Sequence, residues 1–247
     1  MFKQVGERLS IKEMILQQIE GAILSKQVKP GEKLPSEIEL CRQFGASRTS
    51  VREALQSLSA SGLITIEKGR GIFVNEISSQ SVSTPLSKYL QMRLDEYYML
   101  DLVKARQIFE PSIAYEAAIK HTDEDIEILR DDIEQLRKSN KGFKELAKID
   151  MNFHQHLAKS TKNKVVPLLL EPLQKLMPEV KSTVYANIEQ AKESALLWHE
   201  KILDAVENRD SELAYESMTE HLRIAEDHAL KTLEKINELK TKEINYV

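Results

Sequence analysis

Between Gly31 and Val74 the chain reads GEKLPSEIELCRQFGASRTSVREALQSLSASGLITIEKGRGIFV, and local rules leave this stretch few ways to fold. Ser36 is placed to N-cap a helix, with Glu39 three residues on to complete a capping box. Leu40, Cys41 and Phe44 share its inner face, which makes Cys41 a packing residue. Gly45-Ala46 is a tight turn, and Ser47 caps a further helix to about Ala60. Helix, short glycine-containing turn, helix is the helix-turn-helix pattern.

The second of these helices sorts its residues by face. Val51, Ala54, Leu55 and Leu58 recur at helical spacing as a buried side, while Arg48, Arg52 and Gln56, with Thr49 beside them, point the other way. Arginines on the first turns of a helix suit a major groove, because the guanidinium fork matches guanine O6 and N7 and the helix N-terminus attracts phosphate. The plainer alternative is a solvated face. Gly62 ends the helix. Leu63–Glu67 and Ile72–Val74 then read as two strands of a ribbon turned by Lys68-Gly69-Arg70-Gly71, whose glycines allow close approach to a phosphate backbone and whose cations supply charge. Upstream, Ser10 can cap a helix to about Lys26 with a stripe of Ile11, Ile15, Ile19, Ala22 and Ile23, stopped by Lys29-Pro30-Gly31.

Taken together, Ile11–Val74 resembles the N-terminal domain of GntR-family transcription regulators. The resemblance implies that Arg48, Thr49 and Arg52 contact operator DNA and that Gly69 is the wing tip. One departure is Ile38, at a position where many members carry a basic DNA contact.

Charge agrees with a local footprint on DNA. Residues 1–76 carry eleven Lys/Arg and nine Asp/Glu, a net of +2, against −6 for the rest of the chain. A single cysteine excludes a disulfide framework, and the start MFKQVGERLS has no apolar signal core; both point to a cytoplasmic protein without a membrane span. Ser78–Pro85 is polar and serine-rich and reads as a boundary, so the expected division is a winged helix-turn-helix over 1–76, a linker with a short helix (Leu86–Met92) over 77–94, and an effector domain over 95–247.

In that last part no strand pattern survives. The helices expected are about Asp95–Lys120, Asp123–Ser139, Gly142–Ser160, Lys164–Leu176, Ser182 or Ile188 to Asn208, and Asp210–Lys240, with Thr122 and Asp125 forming a capping box and Pro167, Pro172 and Pro178 breaking the fourth region. The fold class is therefore mainly α: a winged helix-turn-helix with a small β-ribbon, then an all-α antiparallel bundle.

The bundle's apolar stripes carry polar intruders. Asp150 and His154 share the stripe of Phe143, Leu146, Phe153 and Leu157; His199 interrupts Leu196, Leu203 and Val206; His221 interrupts Ala214, Met218 and Ala225. Burying four such groups without partners is costly, and a divalent metal can gather neutral imidazoles and a carboxylate. A single inward histidine is more often a hydrogen-bonded core residue, so both readings stand on pattern alone. His121 falls in a loop and His156 faces away, whereas His228 lies on the face of His221 and is its rival.

Asp150–His154, His199 and Met218–His221 resemble the FCD-type effector domain of the FadR-like GntR branch. The resemblance implies Asp150, His154, His199 and His221 as ligands of a metal such as zinc or nickel, with a small carboxylate metabolite completing the shell. Arg106 then becomes a second clamp on that anion, its alternative being a surface pair with Glu110. The expected protein is a homodimeric, metabolite-responsive regulator of double-stranded operator DNA, a repressor in the commoner case, and not an enzyme. The rivals are the same regulator with a metal-free bundle and, more remotely, a metal-dependent hydrolase, for which no His-Glu-x-x-His motif or convincing base is found.

Overall fold

The computed structural model describes residues 9–76, 79–93 and 98–244. No helix among them is long and apolar enough to cross a membrane. The chain forms two compact units that divide between Ser81 and Val82.

The first unit contains α1 (Ile11–Leu24), β1 (Lys33–Leu34), α2 (Glu37–Phe44), α3 (Arg48–Ala60), β2 (Ile64–Glu67) and β3 (Gly71–Val74). At α1 both halves of a capping box form between Ser10 and Glu13, and Ile15, Ile19 and Ile23 are buried. Ile11 is instead half exposed, because it sits in the first turn beyond the edge of the core. Ser36 Oγ accepts from the Glu39 amide at 3.3 Å, which is the only half of the expected capping box seen at α2. Gly45 closes α2 in the left-handed region at φ 60°, where a side chain would cost about 1–2 kcal/mol, so the turn between the two helices belongs to glycine. α3 sinks Val51, Ala54, Leu55 and Leu58 into a core shared with α1, Leu40, Ile64, Ile72 and Val74.

The ribbon expected from sequence is a three-stranded antiparallel sheet in the order β1-β3-β2. The added strand follows from Pro35, which holds the residue before it in extended backbone; Lys33 and Leu34 then pair with Phe73 and Ile72.

The second unit is a helical bundle: α4 (Ser79–Arg93), α5 (Tyr98–Lys120), α6 (Asp123–Lys138), α7 (Phe143–Ser160), α8 (Val165–Gln174), α9 (Met177–Asn187), α10 (Ala191–Glu207) and α11 (Ser211–Ile244). The serine-rich stretch is not an open linker, since α4 runs through it. Its polar groups are tied down: Ser87 Oγ donates to the Ser83 carbonyl at 2.8 Å, Ser83 Oγ donates to Glu171 at 2.9 Å, and Lys175 Nζ donates to Ser83 and Thr84 hydroxyls at 2.6 and 2.9 Å. The region expected as one helix from Ser182 or Ile188 is two, α9 and α10, broken where Ile188 adopts extended backbone. The expected Thr122–Asp125 capping box opens α6.

Two apolar clusters fill the bundle. One gathers Ile113, Ala114 and Ala117 of α5, Phe153 and Leu157 of α7, Ile202 and Val206 of α10, and Met218 and Leu222 of α11. The other gathers Met99, Leu102 and Val103 of α5, Leu146 and Met151 of α7, Ala191 and Ala195 of α10, and Ala229 of α11. Where these four helices pass from one cluster to the other, or within a turn or two of that point, they carry buried polar residues: Arg106 and Glu110, Asp150 and His154, His199, and His221. A polar layer thus lies across the middle of the bundle, and the order in which each helix visits the clusters makes α11 antiparallel to α5, α7 and α10.

Candidate nucleic-acid interface and metal centre

In the first unit, the face of α3 opposite its buried side presents Arg48, Thr49, Arg52 and Gln56, all exposed. Ser47 Oγ accepts from the Ser50 amide at 3.1 Å and fixes the start of the helix, which sets where Arg48 and Arg52 emerge. Arg52 is not free: its Nη2 and Nε donate to the Glu37 carboxylate of α2 at 3.0 and 3.4 Å, a fork that holds an otherwise mobile side chain along the helix. That contact was not read from the sequence, where the two residues lie in different elements. At the wing, Lys68, Gly69 and Arg70 are exposed at the β2–β3 turn. Gly69 stands at φ 78°, which an L side chain rarely adopts. The Arg70 guanidinium pairs with Glu67 at 2.5 Å and lies 5.9 Å from the Phe73 ring centroid. Ile38, at the position where the resemblance places a basic contact, is an exposed apolar side chain on α2.

In the second unit, His154, His199 and His221 converge. One ring nitrogen from each lies within 4.8 Å of the others, and all three rings are buried. Their backbones come from α7, α10 and α11, and the rings pack on one another and on Phe153, whose ring stacks on His199 at 4.2 Å. Asp150, one turn before His154 on α7, brings Oδ1 to 3.7 Å from His199 Nε2. The four residues singled out by periodicity are therefore brought together. His228 lines the adjoining cavity but is absent from the triad; His121 caps its own helix turn through Nδ1 and the Ala117 carbonyl at 3.1 Å; and His156 pairs with Asp132 at 2.6 Å on another face of α7.

The electrostatics prepare these groups as ligands. Burial, with the Arg106 cation adding to it at His154, pushes His154 and His221 well below the usual imidazole range, and His199 falls to about 4. All three rings are neutral at pH 7, the form that offers a lone pair. Burial, the largest single influence on Asp150, pushes its carboxyl up, but the Lys181 ammonium together with the His199 and His154 rings holds it well below its ordinary value. His154 Nδ1 lies 2.8 Å from Glu110 Oε2, so the natural tautomer donates there and leaves Nε2 as the acceptor. That Nε2 faces His199 Nε2 at 3.2 Å, an arrangement in which one nitrogen must carry a proton unless a cation uses both lone pairs. His221 Nε2, His199 Nδ1 and both Asp150 oxygens are buried without a hydrogen-bond partner. Neutral imidazoles and a carboxylate, convergent and with atoms lacking hydrogen-bond partners, fit a divalent metal.

Arg106 and Glu110 do form an i, i+4 pair, at 2.7 and 3.2 Å, but not a surface one: both side chains are buried. Arg106 also reaches His154 Nε2 at 3.0 Å, while its Nη1 has no partner. One functional candidate escaped the sequence reading. Lys181 of α9 is only 8% exposed and puts Nζ 2.7 Å from Asp150 Oδ2, off the angles of a hydrogen bond, so charge rather than a directed bond holds it. Lys181 lies outside every helix expected from the sequence, and only its i, i+4 spacing to Tyr185 points to an inward face. Arg106, Lys181, Tyr185, His221 and His228 border a cavity of about 30 Å³, room for one or two waters.

Comparison with known proteins bears on both units. Residues 11–74 match the model of bacterial regulatory proteins of the gntR family, and residues 101–224 match the FCD domain. The HTH-type transcriptional regulator LutR of Bacillus subtilis is 31% identical over 219 residues, covering 83% of this chain and 94% of the relative. The Uxu operon regulator of Haemophilus influenzae is 32% identical over 203 residues, 78% of this chain and 71% of its own. Among solved structures, a GntR protein of Streptococcus agalactiae superposes with a TM-score of 0.68 at 22% identity, covering 89% of this chain and 98% of that one, a likeness of fold. A DNA-reading unit with its arginines on one helix face, followed by an FCD bundle, is a regulator and not an enzyme: the chain belongs to the GntR family of bacterial transcription regulators.

Proposed function

We propose that this regulator is a homodimeric repressor whose hold on operator DNA is governed by a small carboxylate metabolite in the helical unit, bound at a divalent metal ion, zinc or nickel, and at Arg106. The observation that carries the reading is the polar layer itself: three neutral histidines within 4.8 Å, beside a carboxylate, in an otherwise apolar bundle. His154, His199, His221 and Asp150 would hold the ion, which supplies a Lewis-acidic point for a carboxylate oxygen. Glu110 orients His154, and Arg106 offers its unpartnered Nη1 toward the anion. In the first unit Arg48, Thr49, Arg52 and Gln56 read the major groove, while Lys68, Gly69 and Arg70 lie along the backbone. Two copies reading half-sites related by a two-fold axis follow from this mode of recognition. The exposed apolar side chains Ile108, Phe109, Leu168 and Leu169 on α5 and α8 offer surface for such pairing. The cytoplasm, where operator DNA lies, is the place of action.

A ligand changes DNA affinity only through unequal affinity for two arrangements of the protein. The test is metal analysis of purified wild type, His199→Ala and His221→Ala, with DNA-binding anisotropy on operators selected from a random pool, with and without small carboxylates. Metal at one ion per chain in wild type and its loss in both variants is the expected result; equal metal content in all three refutes the site. The metal-free reading has one observation in its favour, the Lys181–Asp150 pair, which neutralises the carboxylate without any ion. It predicts carboxylate binding that survives chelator treatment.

A further inference from the structure

Four ionised side chains lie buried in the polar layer: Asp150 and Glu110 against Arg106 and Lys181. Each cation of this layer lies against one of its carboxylates, Arg106 on Glu110 at 2.7 Å and Lys181 on Asp150 at 2.7 Å, so these charges cancel in pairs. A divalent cation held by these residues leaves two positive charges in excess, in a setting where uncompensated buried charge is strongly unfavourable. The Lys181 ammonium sits 2.7 Å from Asp150, and its side chain borders the same cavity as Arg106 and His221. That cavity, about 30 Å³, is too small for any carboxylate as it stands, so a ligand needs its lining side chains to move. Once Asp150 turns to a metal, Lys181 loses the carboxylate that neutralises it and, among the described residues, keeps the weak contact with the Tyr185 ring at 5.8 Å.

We infer that Lys181 is a tethered counter-ion that gives up Asp150 to the metal and becomes the second anchor of the effector, which is accordingly a doubly charged acid: one carboxylate toward the metal and Arg106, the other on Lys181. This rests on the metal reading above and narrows it to a class of ligand. Arg106 does not compete for the second anion, because Glu110 already engages its Nε and Nη2. Among the described residues no carboxylate of its own helix pairs with Lys181, whose neighbour there is the Tyr185 ring.

The test uses the full chain loaded with zinc and a matched pair of probes, L-malate and L-lactate, which differ at one end by a carboxylate. Zinc affinity is measured first, by competition with a chromophoric chelator, on wild type, Lys181→Met and Lys181→Arg; the two acids follow by isothermal titration. Wild type should take malate about 30-fold or more tighter than lactate, the worth of one buried charge pair. Lys181→Met should lose that preference, binding lactate unchanged, and should hold zinc more tightly because the competitor for Asp150 is gone. Lys181→Arg, which keeps the charge, should retain most of the malate preference and reports on folding independently of the methionine variant. Malate bound no better than lactate by zinc-loaded wild type, binding of neither acid, or a parallel loss of both in Lys181→Met overturns the inference while leaving the metal site standing. Wild type that takes up no zinc overturns the metal reading instead.

Discussion

Replacing His221 by leucine should make the metal-free protein more stable while destroying its response to metal. His221 is 3% exposed, and its Nε2 is buried with no hydrogen-bond partner. Leaving such a nitrogen unpaired costs about 1–3 kcal/mol. Leucine fills a similar volume beside Met218 and Leu222 of the apolar cluster one turn away and asks for no partner. The expected gain, about 1–2 kcal/mol in the presence of a chelator, corresponds to roughly 2–8 °C in melting temperature for a unit of this size. Zinc at a hundred times its dissociation constant should add about 2.7 kcal/mol to wild type and nothing to the variant. The two proteins therefore cross: the variant melts higher with chelator, wild type melts at least as high with zinc. Differential scanning calorimetry in both conditions measures this directly. A variant less stable than metal-free wild type by more than about 1 kcal/mol would mean that His221 has a structural bond that its surroundings do not offer, and the orphan argument fails. Asp150→Leu supplies the contrast, since it strands Lys181 as a buried unpaired charge and should cost about 3–5 kcal/mol.

Acid should unfold the metal-free bundle early. An unfolded histidine takes its proton near 6.5 and folded His199 only near 4, so between these values the unfolded chain binds more protons and stability falls as pH falls. This one group removes on the order of 3 kcal/mol across that window, with His154 and His221 acting in the same direction; the contribution is complete above 6.5, and below 3.8 protonation of Asp150 in the unfolded chain extends the loss. Urea titrations at stepped pH give the slope, and a flat profile from 6.5 to 4 refutes buried neutral histidines. On DNA, Arg48→Ala should cost about 1–3 kcal/mol at one base pair and relax preference there, whereas Lys68→Ala should weaken all sequences alike and lower the salt slope by about one. Binding to a set of single-base operator variants distinguishes the two. Glu110→Gln should weaken zinc binding about 10–100-fold by loosening the His154 ring, without removing a ligand atom; unchanged affinity would make Glu110 a partner of Arg106 alone.

The DNA-reading unit was almost wholly legible because its determinants are local. Ser47 caps, Gly45 turns, and Val51, Ala54, Leu55 and Leu58 mark the buried face, each within a few residues of the others. What escaped was long-range: β1 pairs across some forty residues with β3, and the Glu37–Arg52 fork joins two helices. In the bundle, helical period placed Asp150, His154, His199 and His221 inside, since one helix face is a one-dimensional property. It could not place Lys181. A lysine on a helix is usually a solvated charge, and its burial is decided only when α9 packs against α7 and meets Asp150. The serine-rich run misled for a related reason. Serine favours loops when its hydroxyl bonds nearby backbone, but here Ser83 and Ser87 bond to Glu171 and to their own helix.

The position of the polar layer has a consequence for how a ligand could act at a distance. Each apolar cluster is held by parts of α5, α7, α10 and α11, and the polar layer is a level at which those helices meet through buried charged and titratable groups instead of hydrocarbon. Hydrocarbon packing is non-directional and tolerates small slips between helices, whereas ion pairs and lone pairs fix distance and angle. His199 Nδ1, His221 Nε2 and Arg106 Nη1, buried without hydrogen-bond partners, mark that level as incompletely satisfied. A cation and an acid bound there, as proposed, would change the set of directed contacts among four helices at once, while the clusters on either side keep the bundle folded. That is the combination a ligand-responsive element needs: a stable frame with one level whose bonding can be rewritten for a few kcal/mol, the scale on which effectors bias regulators.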